Sequence, residues 1–330
     1  MLPLLRAHED AARAVLPQAA HDYVATGAGD EASLSEATTA WGSLRLRPRV
    51  LRDVSTVSTA TSVLGVQLPS PVGVAPTAAH AMLHPSGERG TTQGAGAHLV
   101  VVSTRSTTPL EDLAPIGPWW LQAYVMRDRS LTADLVQRAA ALGASAIVLT
   151  GDTPLVPVRT RPGGLTADVT VGLAPHAEGA AEQDPATGLD AIGWLASVSG
   201  LPVLVKGVLR ADDARDCIAA GAAGIVVSNH GGRQLDRAVA TAVALPEVVA
   251  AVPDVPVLVD GGLRSGTDVL CALALGAAAV LVGRPVLWAL SAGGADGVRD
   301  CLAAYDADLA VAMALAGCPT VTDIHRSLLT

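Results

Sequence analysis

The sequence predicts a (β/α)8 barrel, a TIM barrel with an N-terminal helical segment and a long loop after the fourth strand, and three observations carry that expectation. Eight apolar runs, at residues 72–75, 99–103, 119–124, 145–150, 202–206, 223–228, 256–260 and 279–283, read as buried parallel strands. Most gaps between them hold alanine-rich segments of helical period, such as Leu131–Leu142, Ala211–Ala220 and Ser265–Leu275. No GxGxxG follows the first run, which disfavours the open doubly wound sheet that the same alternation would allow. At 330 residues, half of them hydrophobic, the chain can bury one large core. Phenylalanine is absent, so Ala, Val and Leu must fill it.

Residues 1–70 read as helices and a hairpin packed on a barrel of residues 71–330, a single domain overall. Leu4–Ala20 has apolar residues at helical spacing, and a second helix over Ala32–Ala40 follows the turn Gly27-Ala-Gly29. Leu44–Val57 is extended and arginine-rich, and Val63-Leu-Gly-Val-Gln-Leu68 reads as a short hairpin. Residues 151–200 break the alternation, since they are rich in Pro, Gly and Ala and only Leu189–Val198 looks helical. A loop over about 155–188 is expected there, and loops of that length commonly serve as lids.

Composition narrows the function classes. A net charge of −9 with no basic run argues against nucleic acid or an acidic membrane surface as partner. No uncharged apolar run reaches the ~18 residues of a membrane span, and no signal peptide precedes the first helix-like segment. Cys217, Cys271, Cys301 and Cys318 show no CxxC spacing, so reduced, buried thiols in a cytoplasmic protein are expected, and no metal site.

A barrel builds its site at the C-terminal ends of its strands. Here those ends carry Pro76-Thr77, Ser103-Thr104, Gln122 with Tyr124, Thr150 with Asp152, Lys206, Ser228 with His230, Asp260 and Gly283-Arg284. Each alone is weak evidence, because strand ends are polar in any protein. Together they are stronger, since they include one of the three tyrosines and Lys206, the one lysine among 22 basic residues. A chain that supplies nearly all its positive charge as arginine, yet keeps one lysine at the end of a buried strand, needs a compact ammonium there. His230 is the candidate base, with Gly231-Gly232 beside it to allow close approach of a substrate. For Asp152 the competing reading is a turn-starting aspartate before Pro154. Arg159 and Arg233 lie just past strand ends, where two guanidinium forks suit a carboxylate. Asp260-Gly-Gly-Leu-Arg264 and Gly283-Arg284 offer backbone N–H groups, arginine and a following helix to a phosphate.

The run Ser228-Asn-His-Gly-Gly-Arg-Gln-Leu-Asp236 resembles the signature of the FMN-dependent 2-hydroxy-acid oxidases and dehydrogenases, and similarity extends from about Leu16 to Cys318. The resemblance implies FMN, an (S)-2-hydroxy acid oxidised to the 2-oxo acid, and reoxidation by dioxygen or another acceptor. It implies His230 as base, Asp152 as its orienting carboxylate, and Tyr23, Tyr124, Arg159 and Arg233 as substrate contacts. Lys206 would meet the flavin ring. Ala75, Pro76, Thr77, Ala78, Ser103, Gln122, Thr150, Ser228, Asp260, Gly261, Gly262, Arg264, Gly283 and Arg284 would bind the rest of FMN, and a homo-oligomer, a tetramer in the family, is expected. Monooxygenation or oxidative decarboxylation by the same flavin, and a barrel that binds a phosphorylated ligand without redox chemistry, are the alternatives. The chain departs from the pattern in three places: Arg105 stands where many relatives carry tryptophan or another bulky apolar group near the substrate, Ser265 replaces a common arginine, and the loop is shortened. Arg105 either turns into the barrel mouth or lies outward in solvent.

Overall fold

The computed structural model describes residues 1–113, 117–159 and 167–330. Two short antiparallel strands, β1 (Thr61–Val63) and β2 (Val66–Leu68), form the expected hairpin. Eight parallel strands follow and close on themselves: β3 (Val72–Val74), β4 (Val100–Ser103), β5 (Trp119–Ala123), β6 (Ile147–Thr150), β7 (Val203–Val208), β8 (Gly224–Val227), β9 (Val257–Asp260) and β10 (Ala279–Val282). Neighbours in sequence are neighbours in the barrel, and β10 pairs with β3 to complete it.

Alternation along each strand divides the core into two layers. Leu99, Val101, Trp120, Val148, Leu204, Val226, Leu258 and Leu281 point inward and form one cluster with Val63 and Leu68, so the hairpin plugs the N-terminal end of the barrel. Val100, Val102, Leu121, Ile147, Leu149 and Val205 point outward against the helices. Trp120, fully buried inside, supplies the bulk that phenylalanine would otherwise provide. Two residues beyond each last inward apolar residue, the inward position turns polar: Ser103 after Val101, Gln122 after Trp120, Thr150 after Val148, Lys206 after Leu204, Ser228 after Val226 and Asp260 after Leu258. The pleat that fills the core therefore also floors the site.

The N-terminal segment departs from one expectation. In place of one helix over Leu4–Ala20 there are two, α1 (Pro3–Val15) and α2 (Gln18–Ala25). Leu16 adopts φ −81°, ψ 141°, because the residue before a proline is driven out of the helical region, and Pro17 then caps α2. A third helix, α3 (Ala32–Ser43), lies across the β9 end, where the Trp41 indole donates to the Gly261 carbonyl at 2.7 Å. The last helical stretch, Arg284–Ala316, is one that the sequence reading did not single out, and it is broken by non-helical Gly293 and Gly294.

Between β6 and the helix Asp190–Ser199 runs the long loop, part of which, 160–166, lies outside the described residues. Its second half is tied down, since Arg127 N donates to Glu182 O and Asp184 N to Val125 O, both at 2.9 Å. Its first half is joined to the N-terminal segment by a bridge between Gly29 and Arg159.

Candidate active site

A cavity of about 290 Å³ opens at the C-terminal end of the barrel, near the lower end of the roughly 300–1,000 Å³ usual for small-molecule sites. It gathers nearly all the residues named from sequence: Tyr23, Ala75, Pro76, Thr77, Ala78, Ser103, Arg105, Tyr124, Arg159, Lys206, His230, Arg233, Asp260, Gly261, Gly262, Arg264, Gly283 and Arg284 all line it. Gln122, Thr150 and Ser228 sit beneath it, buried, and Asp152 stands behind His230.

Beneath the cavity the polar groups are bonded to one another. The Gln122 amide accepts from the Ser103 hydroxyl at 3.2 Å and donates to the Thr150 hydroxyl at 3.0 Å, linking three strands. The buried Lys206 ammonium donates to Ser228 Oγ at 2.7 Å and lies 3.1 Å from Asp260 Oδ2. Burial opposes its charge, but Asp260 and Asp152 outweigh that and raise its pKa. Asp260 Oδ1 is buried with no partner, an acceptor left for a ligand's hydroxyl or N–H.

The base is held by a chain of contacts that starts at a kink in β7. Register shifts between Lys206 and Val208, a bulge centred on Gly207 with φ 104°. A Cβ on Gly207 would lie 2.5 Å from the Asp152 side chain, so only glycine leaves the carboxylate room to stand where it does. Asp152 Oδ1 in turn accepts from His230 Nδ1 at 3.0 Å. Burial disfavours the Asp152 charge, yet the imidazole and Lys206 hold its carboxyl below the ordinary range. It is therefore an ionised acceptor, which fixes the His230 tautomer with Nδ1 protonated and leaves Nε2 as the ring nitrogen able to take a proton. His230 itself has φ 57°, unusual for a side-chain-bearing residue, and its N–H is anchored on Ser228 Oγ at 3.0 Å. The sole asparagine, Asn229, braces the same turn by accepting from Gly232 N at 3.2 Å.

The rim of the cavity is crowded with arginine. Arg233 and Arg159 flank the Tyr23 ring, their guanidinium carbons 5.1 and 5.8 Å from its centre. Arg233 donates to the carbonyls of Tyr23 and Thr26, and Arg284 to those of Val24, Thr26 and Gly231. Burial first, then the neighbouring guanidinium groups, pull the Arg233 pKa down to about 10 and that of Arg284 to about 9. Both remain charged at neutral pH, and two or more anions would relieve the crowding. Gly231 (φ 65°) lets the chain pass close to this cluster, since a Cβ there would meet the Arg284 side chain at 2.9 Å. The helix after Arg264 is not an open anion site, because Ser265 caps it by accepting from Asp268 N, and Asp268 accepts from Arg264 N. The Arg264 and Arg284 side chains, which line the cavity, carry the positive charge of this region.

Tyr124 stays protonated, because burial raises its pKa. Arg105 turns inward: its Nη2 donates to Ala181 O in the long loop at 2.7 Å. Sequence reasoning missed Gln183 and the apolar stretch Leu155–Pro157, which also line the cavity. Nothing local marks them, since they reach the mouth only through the path of the loop. An unpartnered buried carboxylate oxygen, a buried ammonium on the floor and surplus arginine at the rim fit a ligand with hydrogen-bonding ring edges and a phosphate, alongside a small carboxylate.

Comparison with known proteins gives the same picture. The family model for FMN-dependent dehydrogenases matches residues 12–330. An L-lactate oxidase of Nostoc sp. is 45% identical, covering 98% of this chain and 96% of that protein. A peroxisomal (S)-2-hydroxy-acid oxidase of Oryza sativa subsp. japonica is 43% identical over 98% of this chain and 94% of its own length. Among solved structures, mandelate oxidase with (S)-4-hydroxymandelic acid superposes with a TM-score of 0.91 at 41% identity, covering 99% of this chain and 98% of that one.

Proposed function

Because the chain belongs to the FMN-dependent dehydrogenase family and is an FMN-dependent oxidase of 2-hydroxy acids, we propose that it converts an (S)-2-hydroxy acid to the 2-oxo acid with His230 as base. The observation that carries this reading is the Asp152–His230 pair, whose imidazole is committed through Nδ1 and lines the same cavity as the arginines. In this assignment Arg233 and Arg159 clamp the substrate carboxylate as paired forks. Tyr124 donates to the substrate hydroxyl oxygen, and His230 Nε2 removes the hydroxyl proton as the carbonyl forms. Bound FMN supplies the acceptor for the hydride that leaves the α-carbon. Asp152 stabilises the imidazolium that results, so proton removal adds no uncompensated charge to the site. Lys206 and Asp260, with Ser103, Thr77 and the backbone of Ala75–Ala78, would hold the flavin ring and its side chain. Gln122, Thr150 and Ser228 would act from below by fixing those groups, and Arg264 and Arg284 with Gly261, Gly262 and Gly283 would hold the phosphate. Dioxygen or another acceptor would restore the oxidised flavin.

The assignment of residues 1–70 as part of one unit with the barrel is supported by the Trp41–Gly261 bond and by Leu2 N donating to Arg264 O at 3.2 Å. The family resemblance supports a homotetramer and the four buried unpaired cysteines a reducing, cytoplasmic setting; light scattering on the purified protein tests the assembly. Among the described residues no helix is long and apolar enough to cross a membrane. The functional test is anaerobic mixing of the FMN-loaded protein with (S)- and (R)-2-hydroxy acids while absorbance near 450 nm is followed. Bleaching by (S) substrates alone is expected; bleaching by none of them overturns the proposal.

A further inference from the structure

Resting on the 2-hydroxy-acid reading above, we infer that Arg105 selects substrates whose far end carries a second carboxylate, so that a short 2-hydroxy dicarboxylic acid is preferred over its monocarboxylic analogues. The charges lining the cavity do not balance without such a group. Lys206 is paired with Asp260 and His230 with Asp152. Arg264 and Arg284 lie after β9 and β10, the end assigned to the phosphate, and Arg233 and Arg159 converge on Tyr23, the place assigned to the substrate's own carboxylate. Arg105 is left over. It leaves the end of β4, on the other side of the mouth.

Its position is built rather than incidental. The backbone of Arg105 is tied at both faces, its N–H donating to Ser103 Oγ at 3.1 Å and its carbonyl accepting from Ala79 N at 3.2 Å. The side chain is half-buried and spans to the tethered half of the loop, where it donates to Ala181 O. A guanidinium has five N–H donors, and that carbonyl engages one of its nitrogens while carrying no formal charge to offset it. No carboxylate among the described residues lies within ion-pair distance of Arg105, and burial lowers its pKa, the mark of a cation short of a counter-charge. Gln183, from the same stretch of loop, lines the cavity with it and adds an amide to the polar end. A distal carboxylate can take the remaining fork bidentately, whereas an aliphatic or aromatic substituent would cover the guanidinium without neutralising it.

The test compares FMN-loaded protein on 2-hydroxyglutarate, its 5-methyl ester, whose distal end is uncharged, and 2-hydroxybutyrate, each as the (S) form, by anaerobic flavin reduction. Wild type is expected to show kcat/KM for the dicarboxylate at least about tenfold above the other two. In Arg105→Met the ratio of dicarboxylate to 2-hydroxybutyrate falls by roughly 10- to 100-fold, and Arg105→Lys recovers part of it. Equal kcat/KM for the acid and its ester in wild type overturns the inference without needing any variant. A ratio unmoved by Arg105→Met overturns it also. Reduction by 2-hydroxybutyrate in either case leaves the oxidase reading intact, whereas no reduction by any of the three, nor by glycolate, lactate or mandelate, removes the reading on which the inference rests.

Discussion

The floor and the rim of the barrel mouth handle charge in opposite ways. On the floor, at the ends of β6–β9, each charge has an opposite charge beside it, Asp152 with His230 and Lys206 with Asp260, and the hydroxyl of Ser228 joins the two pairs. On the rim, among the described residues, the hydrogen bonds of Arg233 and Arg284 go to backbone carbonyls, which orient a guanidinium without neutralising it. The difference teaches which part of the site is finished and which awaits a ligand. Groups that must present one atom in one protonation state are fixed by the protein itself. Groups that recognise anions are pre-aimed and left in mutual repulsion, which a bound anion relieves.

If the floor is a closed electrostatic unit, breaking it costs stability as well as activity. Lys206→Met leaves Asp260 buried beside no cation, and a loss of about 3–5 kcal/mol is expected from urea unfolding. Lys206→Arg keeps the charge but brings a planar fork where a compact ammonium fits, so flavin reduction should be slowed markedly in protein that still folds. A fully stable Lys206→Met would show that the pairing is not what holds the floor together.

Asp152→Asn sharpens the comparison next. A hydrogen bond to a charged group contributes about 1.5–3 kcal/mol, so the limiting rate of flavin reduction should fall roughly 10- to 150-fold with little change in substrate affinity. The acid stability profile gives a second readout. Because the folded carboxyl is held below the ordinary range, its contribution is complete at neutral pH. It is lost as pH falls from about 3.9, the unfolded value, through the lower folded value. Wild type should lose more stability than the asparagine variant across that window, and parallel profiles would contradict the assignment. Gly207→Ala acts on the same pair through the backbone, since its Cβ collides with Asp152; about 1–3 kcal/mol of stability is expected to go with it, and an unchanged thermal midpoint would mean the bulge relaxes freely.

The smallest effect belongs to the rim. Inorganic phosphate at about ten times its Kd should stabilise the FMN-free protein by about 1.4 kcal/mol, a rise of a few degrees in Tm. Arg284→Leu should abolish that rise, and its persistence would place the anion elsewhere.

Sequence carried the barrel because strands buried on both faces are continuous apolar runs, and the floor residues lie two positions past the last inward side chain. Lys206 was legible for that reason and for its rarity, whereas His230 was legible from its imidazole beside the Gly231-Gly232 step. The break at Leu16-Pro17 was missed because apolar spacing runs across it, although the proline itself forbids one helix. Gly207 could not be read as the residue that seats Asp152, since the two are 55 positions apart in sequence and the need for glycine exists only once the strands pair. Sequence left Arg105 with two orientations, because a long side chain at a strand end can take either; the loop carbonyl of Ala181 decides it.

The division between a finished base and a waiting anion site is tested most directly by anaerobic stopped-flow reduction of FMN-loaded His230→Gln and Arg233→Lys across substrate concentration. The account predicts that His230→Gln loses roughly two to four powers of ten in limiting rate while its apparent Kd stays close to wild type. It predicts that Arg233→Lys raises apparent Kd roughly 10- to 100-fold with a smaller change in limiting rate. If His230→Gln weakened binding and left the limiting rate near wild type, or Arg233→Lys lowered the rate alone, the floor and the rim of the mouth would not have the separate roles assigned to them.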